Sequence, residues 1–460
     1  MIDALSAERA WVVGGTVRDE LLGRSVVDVD LAVDGDAERA ARALAAEVHG
    51  PVFRLSEDFG AWRVIDRKGG RTYDLTPLQG DSIEADLGKR DFTVNAMARE
   101  LQGGGDLIDP HGGSRDLDAR VLRVVGPRAY ADDALRPLRL ARLAAELGFA
   151  PEPDTERLTR EAAPQVVRAA PERVFAELRR LLVAEGAFEA VRLSDRLGLL
   201  AAVLPEVAGL HGVEQSQYHH LDVFEHTLAV VASQIELEGR LEELFGESAA
   251  GLRAVLDETL ADELTRGQAL RFGALLHDVG KPATRGVRPD GRITFIGHDS
   301  LGEEMVRSIC RRLRTSERLS RFLEGLTRHH LVLGFLVRHR PLERRAVYHY
   351  LKHTSPVEVE VTLLSCADRL ATRGKNAEPA IAAHLELARE LMEEALAWRA
   401  SGPPRLPLRG DELAERIGIE PGPELGRLLD ELEAAAFAGE IDSPQQMVEL
   451  AGRLRENHGP

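Results

Sequence analysis

Cysteine and aromatic residues are scarce in this chain of 460 residues. Its two cysteines, Cys310 and Cys366, are too few and too distant in sequence for a disulfide framework, and such usage is typical of a reducing compartment. Aromatic residues make up 5% of the sequence, which argues against a broad platform for stacking nucleobases. The sequence has no run of about 18 apolar residues, so no membrane-spanning helix is expected.

Positive charge is in deficit, because 59 Lys and Arg residues face 76 Asp and Glu residues and give a net charge of −17. Affinity for phosphate backbones comes largely from Lys and Arg, so any nucleic-acid contact must use a local basic surface. The hydrophobic fraction of 44% and the charged fraction of 29% are typical of a soluble globular protein, whose length predicts about two to four domains. The first residues, MIDALSAERA, lack a basic-then-apolar signal sequence, and we therefore expect a cytoplasmic protein.

Residues 12–30, VVGGTVRDELLGRSVVDVD, contain the most informative pattern of the chain. The pattern predicts a strand, a turn, a short helix and a second strand that carries Asp28 and Asp30. Alternate residues of a strand project from the same face, so the two carboxylates should lie side by side. Adjacent carboxylates repel each other unless a cation lies between them, and hard oxygen ligands suit Mg²⁺. Asp28 and Asp30 are therefore the predicted catalytic residues and magnesium ligands.

Groups suited to a triphosphate precede this pair. Gly14 and Gly15 allow backbone N–H groups to approach a phosphate closely, and Arg18 adds positive charge. A Gly-Gly pair alone is usually only a turn, and an Asp-x-Asp pair is often only solvated. In this combination and order they resemble the signature of the polymerase-beta-like nucleotidyltransferases, and more narrowly the branch of bacterial tRNA nucleotidyltransferases (CCA-adding enzymes) and poly(A) polymerases.

The segment KRDFTVNAMA, residues 89–98, predicts a second nucleotide-binding group. On a helix, Asp91 and Asn95 lie one turn apart and share a face. Arg90 can neutralise a triphosphate, while Asp91 and Asn95 can bond a ribose hydroxyl; a capped amphipathic helix is the alternative. The segment resembles the ribose-recognising motif of the tRNA nucleotidyltransferases, with Lys89 in the place of an arginine.

A third group follows at Asp133 and Arg136, three residues apart on one face of a predicted helix. On their own they would form a surface ion pair worth less than ~1 kcal/mol. They resemble the family's nucleotide-selecting motif, Glu-Asp-x-x-Arg, with Asp132 in place of the glutamate. The resemblance implies that a carboxylate and a guanidinium fork read the edges of cytosine and adenine, with Arg139 and Arg142 completing the nucleotide-binding set.

Residues 218–370 hold histidines and carboxylates typical of a transition-metal site. In chain order they are His226, His277, Asp278, His298, His329 and Asp368. The set resembles the HD phosphohydrolase superfamily, which implies that the first three and Asp368 are ligands of an ion such as Ni²⁺, Mn²⁺ or Co²⁺. His298 and His329 would then support a second ion. A scaffold that has lost the activity is the alternative.

The resemblance covers nearly the whole chain and implies an α+β fold. A small polymerase-beta-like α/β nucleotidyltransferase head is followed by an all-helical neck, HD body and tail. The predicted domains are residues 1–125 for the head, 126–210 for the neck and RNA-binding region, 211–400 for the HD domain and 401–460 for the tail. We expect the last strand of the head at Val121 to Val125, and only helices from Tyr130 to the end.

The implied reaction is template-independent transfer of CMP and AMP from CTP and ATP to the 3′ end of tRNA, with an additional HD phosphohydrolase activity. Residues 75–89 leave little room for the long mobile loop of full CCA-adding relatives, so addition of the two cytidines alone is one alternative. A poly(A) polymerase and an HD phosphohydrolase with a nucleotide-binding head are the others. The basic residues between Arg307 and Lys352 are the best candidates for contacting the tRNA backbone, and the oligomeric state stays open.

Overall fold

The computed structural model of the protein describes residues 5, 8–56, 60–102, 105–215, 221–372 and 377–457. The chain divides into two compact units, residues 1–203 and residues 204–460. The first unit combines a β-sheet with helices, and the second is mainly helical. The predicted α+β fold, with an N-terminal head built on the main β-sheet, is therefore confirmed.

The sheet of the first unit presents the polar residues that the sequence singled out. Its strands are β1 (Arg9–Val13), β2 (Asp28–Asp34), β3 (Val52–Ser56), β4 (Ala61–Asp66), β5 (Arg71–Pro77), β6 (Ala98–Glu100) and β7 (Leu107–Ile108). Their order is β3-β4-β5-β2-β1-β6-β7, and β2 and β5 are parallel whereas the other neighbours are antiparallel. The parallel register places Asp30 opposite Asp74, while Val29, Leu31 and Val33 alternate into the core.

Short helices connect these strands. They are α1 (Gly15–Leu21), α2 (Ala37–Val48), α3 (Ile83–Leu87), the 3-10 helix Thr93–Asn95 and α4 (Gly113–Asp118). The Asp36 side chain caps α2 by accepting a hydrogen bond from the Arg39 backbone N–H at 3.1 Å. The apolar face of α2, with Ala41 and Leu44 fully buried, joins the main core of the sheet. This packing fixes the strand from which Asp28 and Asp30 project.

Helices dominate the remainder of the first unit. Its elements are β8 (Val121–Leu122), α5 (Ala129–Asp132), α6 (Arg136–Leu147), β9 (Ala150–Pro151), α7 (Pro153–Ala162), the 3-10 helix Ala163–Arg168, α8 (Pro171–Val183), α9 (Ala187–Arg196) and α10 (Leu199–Val203). The strand expected at Val121 to Val125 is shorter and pairs with β9 in a separate sheet, so it does not complete the head sheet. Pro137 lies in the first turn of α6, where its missing N–H would have no intrahelical partner.

The second unit is built from helices. They are α11 (Pro205–Ala208), α12 (Val223–Glu238), α13 (Leu241–Phe245), α14 (Ala249–Leu256), α15 (Arg266–Leu276), α16 (Lys281–Thr284), α17 (His298–Leu313), α18 (Glu317–His329), α19 (Val332–Leu336), α20 (Arg344–Thr354), α21 (Glu358–Ala371), α22 (Ala377–Ser401), α23 (Gly410–Ile417), α24 (Pro423–Phe437) and α25 (Pro444–Asn457), with 3-10 helices at Gly246–Ser248 and Val337–His339. Within the part of the chain that the structure describes, no helix has the length and apolar character needed to cross a membrane.

The expectation of helices alone beyond Tyr130 is wrong at β9 in the first unit and at two short hairpins of this unit. One joins β10 (Thr259–Ala261) to β11 (Leu264–Thr265), and the other joins β12 (Arg285–Val287) to β13 (Ile293–Phe295). Asp262 and Glu263 have φ angles of 52° and 58°, as a two-residue type I′ turn requires. The pair Asp290-Gly291 in the second hairpin is a turn signal in the sequence, but the strands beside it are too short to show a clear alternation.

The last three helices surround a hydrophobic cluster of their own, in which Leu413, Leu432 and Met447 are fully buried. Side chains of α20 reach this bundle. Tyr348 of α20 donates a hydrogen bond to the Glu433 carboxylate of α24 at 2.5 Å. The last three helices therefore contact the preceding helix α20 through hydrogen bonds as well as through packing.

Candidate active sites

A cavity of about 560 Å³ in the first unit collects most of the predicted nucleotide-binding residues. Its lining includes Gly14, Gly15, Arg18, Asp28, Asp30, Arg90, Asp91, Asn95, Arg136, Arg139 and Arg142. These residues come from β2, from the turns and short helices beside it, and from α6. Asp133 is not part of this lining. Segments separated by more than a hundred positions thus meet at one edge of the sheet.

The two predicted catalytic carboxylates project from the start of β2. Asp28 is exposed and Asp30 is half-buried, while Val29 between them is buried in the core. Burial raises the pKa of Asp30 to about 6. Asp74 lies opposite Asp30 on β5 and accepts two hydrogen bonds from the Arg63 guanidinium, at 2.7 and 2.6 Å. The strand alternation predicted from the sequence therefore places two carboxylates on one face, with a third nearby.

The turn at Gly14 leaves space beside these carboxylates. Its φ of 69° lies in the left-handed region, and a Cβ added there would lie 2.7 Å from Arg90 Nη1 and 3.3 Å from Asp30 Oδ2. Any side chain at this position would fill the gap between the guanidinium and the carboxylate. Two carboxylates that share one face and an unobstructed turn are a donor set that fits a divalent cation with a triphosphate.

A chain of charged hydrogen bonds runs along the wall of the cavity. Arg18 bonds both oxygens of Asp19, at 2.9 and 2.8 Å, and donates to Asn95 Oδ1 at 2.6 Å. Asn95 Nδ2 donates to Asp91 Oδ1 at 3.0 Å, and Arg139 donates to Asp91 Oδ2 at 2.8 Å. Asp91 and Asn95 are therefore neighbours as predicted, but a 3-10 helix rather than an α-helix brings them together.

Asp91 is the most strongly perturbed group of this wall. It is buried, which by itself would raise its pKa, but the Arg139 guanidinium and the hydrogen bonds from Asn95 and Phe92 outweigh burial and hold the pKa well below the usual range. Asp91 is therefore a permanent anion that orients its donors. Arg142, also predicted to bind nucleotide, is buried between Glu177 and Glu146, at 2.5 and 2.6 Å. Arg142 therefore stabilises the wall of the cavity, because its guanidinium already donates hydrogen bonds to both glutamates.

Asp133 and Arg136 do not share a helix face, contrary to the expectation. Asp133 ends α5 in an extended conformation, and Arg136 begins α6. The Arg173 guanidinium donates to Asp133 at 2.7 Å, whereas Arg136 donates to the carbonyls of Lys89 and Ala129, at 2.6 and 2.9 Å. Pro137 explains the break, because in a continuous helix it would have no N–H to donate to the Asp133 carbonyl four residues earlier, and its ring would clash with that carbonyl.

A second group of polar residues lies in the interior of the second unit. Its members lie on α12, α17 and α21 or directly after the ends of α15 and α18, and they are His226, His277, Asp278, His298, His330 and Asp368. The carboxylate of Asp278 faces four ring nitrogens, at 3.1 Å for His277, 3.4 Å for His298 and 3.8 Å for both His226 and His330. His226 also lies 2.9 Å from Asp368. Two overlapping groups that could each hold a metal ion share Asp278.

Hydrogen bonds to the backbone fix the tautomers of three of these histidines. Nδ1 of His277, His298 and His330 each lies 2.7 to 2.8 Å from the carbonyl oxygen three residues earlier. A carbonyl can only accept, so Nδ1 carries a proton in each ring and Nε2 is the nitrogen that faces Asp278. His298 Nε2 and His330 Nε2 are 3.3 Å apart, and facing lone pairs at that distance need a cation or a proton between them. Burial lowers the pKa of His330 to about 4, which favours a neutral ligand.

The structure brings His330 to this cluster in place of the predicted His329. The His329 ring instead packs edge-on against His353, with centroids 4.6 Å apart. Adjacent residues of a helix point about 100° apart, so only one member of the pair can face inward. Leu323 and Leu326 lie on the apolar face of α18. His330 follows Leu323 by seven residues and Leu326 by four, so it continues the same face. The helical periodicity of the sequence could therefore have identified His330, rather than His329, as the residue that faces inward.

The chain's relatives identify the family to which these sites belong. The poly A polymerase head domain matches residues 10–123, the probable RNA- and SrmB-binding site of polymerase A matches residues 148–210, and the HD domain matches residues 223–373. An A-adding tRNA nucleotidyltransferase of Deinococcus radiodurans is 36% identical over 97% of this chain and 96% of its own length. The chain belongs to the tRNA nucleotidyltransferase family.

Members of this family with different products are equally similar to the chain. A CC-adding tRNA nucleotidyltransferase of Thermus thermophilus is also 36% identical, over 95% of this chain and 92% of its own length. Among solved structures, a CCA-adding enzyme with ATP has a TM-score of 0.66 at 20% identity and covers 99% of this chain and 93% of its own. A Thermotoga maritima CCA-adding enzyme complexed with tRNA has a TM-score of 0.62, at the same identity and coverage. These structures show the fold of this tRNA nucleotidyltransferase.

Most basic residues between Arg307 and Lys352 have acidic partners within the second unit. Pairs join Arg307 to Glu303 and Glu324, Arg312 to Glu206, Arg321 to Glu317, Arg328 to Asp299, Arg340 to Glu386 and Glu390, Arg344 to Glu394, Arg345 to Glu431 and Glu440, and Lys352 to Asp430 and Glu433. Much of this positive charge is therefore neutralised by neighbouring helices. Its contact with the tRNA backbone stays a prediction.

Proposed function

We propose that the chain transfers CMP and AMP from CTP and ATP to the 3′ end of tRNA, with Asp28 and Asp30 as the catalytic carboxylates. The observation that carries this proposal is the pair of carboxylates on one face of β2, beside the Gly14 turn and the Arg90 guanidinium. Family membership supplies the reaction class. The geometry of the cavity supports the choice of residues proposed to perform it.

The carboxylates of Asp28 and Asp30 would hold Mg²⁺, which when bound supplies charge neutralisation for the triphosphate and a lowered pKa for the attacking hydroxyl. Gly14 and Gly15 admit the phosphates, and Arg90 and Arg18 add positive charge beside them. Asp91 and Asn95 orient the ribose. Little covalent chemistry is left to side chains, so positioning of the two reactants dominates catalysis.

Base choice is assigned to Asp133 and Arg136. A carboxylate accepts and a guanidinium donates, so the pair offers the pattern that distinguishes cytosine and adenine from uracil and guanine without a nucleic-acid template. Arg139 and Arg142 follow Arg136 on α6. Arg139 donates a hydrogen bond to Asp91, and Arg142 donates one to Glu177. These two arginines complete the predicted nucleotide-binding set by shaping the wall of the cavity.

The second unit is proposed to hydrolyse a phosphoester. His226, His277, Asp278 and Asp368 would hold one divalent transition ion such as Ni²⁺, Mn²⁺ or Co²⁺, and His298 with His330 would share Asp278 with a second. An ion held there supplies Lewis-acid polarisation of a phosphoryl group. A cavity of about 470 Å³ beside His298 is lined by Lys281 and Phe295, and it provides space for a substrate.

The reaction is proposed to occur in the cytoplasm. Cys310 and Cys366 are both free and buried, as expected for a protein of a reducing compartment. The single experiment that tests the main proposal offers the purified protein a tRNA that lacks its three terminal nucleotides, with each NTP separately and with CTP and ATP together. Sequencing of the 3′ ends should show added C and A, and no U or G. Unchanged ends in every reaction would overturn the proposal.

Restricted addition of the two cytidines is a second candidate, and one observation favours it. The connection between Pro77, the end of β5, and Ile83, the start of α3, consists of residues 78–82 only. A change of specificity from CTP to ATP requires a large local movement, and a short connection resists it. In the same experiment, ends that stop at CC support restricted addition, whereas a terminal A on most molecules dismisses it. A tRNA already ending in CC, supplied with ATP alone, detects an enzyme that adds only the adenosine.

A further inference from the structure

A buried carboxylate in the head cavity has no role in the mechanism described so far. Asp86 lies on the short helix α3 and lines the same cavity as Asp28 and Asp30, yet it is only 4% exposed. A carboxylate this deeply buried destabilises the fold unless charged or polar groups satisfy it. The hydrogen-bond partners of Asp86 therefore indicate its role in the cavity.

Both oxygens of Asp86 accept hydrogen bonds. Oδ2 accepts from Nε and Nη2 of Arg90, at 3.2 and 3.1 Å. Oδ1 accepts from the backbone N–H of Gln79 at 2.9 Å. The carboxylate is thus fixed by the connection between β5 and α3, and it in turn holds one edge of the Arg90 guanidinium.

The opposite edge of that guanidinium faces the proposed site of chemistry. Nη1 of Arg90 is the atom that a Cβ at Gly14 would meet at 2.7 Å, and Asp30 Oδ2 would lie 3.3 Å from the same Cβ. Asp86 therefore occupies the Nε–Nη2 edge and leaves Nη1 toward the glycine turn and Asp30. An arginine side chain has several rotatable bonds, and holding it in advance reduces the entropy lost when a phosphate binds.

We propose that Asp86 is a positioning residue for the triphosphate, which acts by directing Arg90 across the Gly14 turn. This inference rests on the proposed nucleotidyl transfer. Asp86 touches neither the nucleotide nor the reacting atoms in this arrangement. It also ties residues 78–82 to the arginine, so the short connection and the phosphate contact form one unit.

The test begins with Asp86→Asn. The amide oxygen of asparagine can still accept from Gln79, but its NH₂ group cannot accept from Arg90. We expect KM for CTP and ATP to rise about tenfold with a much smaller change in kcat, which is the change expected when one charge-assisted contact is lost. Binding of CTP in the presence of Ca²⁺, measured by calorimetry without tRNA, should weaken by a similar factor. Asp86→Glu, which restores an acceptor for Arg90, should recover much of the affinity.

A matched control distinguishes positioning from general damage. Glu152→Gln removes another carboxylate of the same unit, which caps α7 by accepting from the Thr155 N–H at 2.9 Å and lies outside the cavity lining. It should leave KM for both nucleotides unchanged. Thermal melting of each variant confirms that it is folded, and if Asp86→Asn does not fold, Asp86→Ala, which also removes the acceptor for Arg90, takes its place with the same expected rise in KM.

A double-variant cycle with Arg90→Ala decides the mechanism. If Asp86 acts through Arg90, adding Asp86→Asn to Arg90→Ala should raise KM no further. A further rise equal to that of the single variant, or a wild-type KM in folded Asp86→Asn, would overturn the inference. Failure of the wild-type protein to add any nucleotide would instead overturn the proposed function, so the two failures are distinguishable.

Discussion

The head cavity and the HD cluster both gather carboxylates, but they differ in how completely the protein encloses and orients them. Asp28 is exposed at the start of a strand and Asp30 is half-buried. The HD cluster is the group of histidines and carboxylates around Asp278 in the second unit. Five of its residues are between 0 and 6% exposed: His226, His277, Asp278, His298 and His330. One site therefore faces solvent at a sheet edge, and the other lies among helices.

The difference matches the two kinds of ligand. An open pair of carboxylates suits Mg²⁺, which keeps several waters and arrives with a triphosphate. A closed set of imidazoles with tautomers fixed by backbone carbonyls suits a transition ion that stays bound. The head must also admit the end of a large RNA, which a buried site could not. Enclosure is thus the property that would separate the two proposed metal-dependent reactions within one chain.

The largest expected effect comes from the open site. Asp28→Ala or Asp30→Ala should reduce nucleotide addition by more than about a hundredfold, because loss of a metal ligand removes several kcal/mol of transition-state stabilisation. Both residues lie at the solvent edge, so the variants should melt near the wild-type temperature. Addition is measured by incorporation of labelled CTP into tRNA. Wild-type incorporation by a folded variant would end the assignment of these carboxylates.

Substitution of residues in the HD cluster should affect that closed site alone. His277→Ala with Asp278→Ala should abolish metal-dependent hydrolysis of phosphoesters and leave nucleotide addition within about twofold of the wild type, because the two sites belong to different units of the chain and are built from different residues. Metal content measured after dialysis against Ni²⁺, Co²⁺ or Mn²⁺ provides a second readout. A wild-type protein that binds none of these ions at this cluster would show that the set is structural.

Adjacent histidines provide a finer test of enclosure. His330→Ala should lower the affinity for Mn²⁺ more than about tenfold, because His330 faces Asp278 and His298, whereas His329→Ala should change it less than about threefold. The two variants remove the same side chain from neighbouring positions at the C-terminal end of α18, so each is the control for the other. Titration calorimetry measures both affinities. A larger loss from His329→Ala would support the assignment made from the sequence.

The sequence predicted best those features that depend on local alternation and turns. Asp28 and Asp30 follow from the period of a strand, and Gly14 follows from the conformation that only glycine adopts freely. The Asp91–Asn95 contact was also predicted, although a 3-10 helix makes it. Each of these inferences needs only a few neighbouring residues.

Features that depend on distant contacts could not be predicted in the same way. Arg142, for example, bonds Glu177 of α8, which lies 35 positions away in sequence. The basic stretch around Arg345 has the composition of an RNA-binding surface, but acids such as Glu440 are more than ninety positions away in sequence. Composition alone cannot show that a charge is already paired.

The last expected effect concerns base choice in the open site, and it tests whether an unenclosed cavity can still be selective. The Asp133→Ala, Arg136→Ala double variant should lower the preference for CTP over UTP, measured as the ratio of kcat/KM values, by about 10 to 100-fold, since unpaired edge-reading groups each contribute about 1–3 kcal/mol. Arg157→Ala, on an exposed ion pair with Glu161 in the same unit, is the matched control and should leave the ratio unchanged. In the structure Asp133 is held by Arg173 and Arg136 by backbone carbonyls, so both groups must exchange these partners for a base. That exchange partly offsets the energy gained on reading the base, which is why a moderate loss is expected here rather than abolition. Full discrimination in the double variant would place base selection on other residues of the cavity.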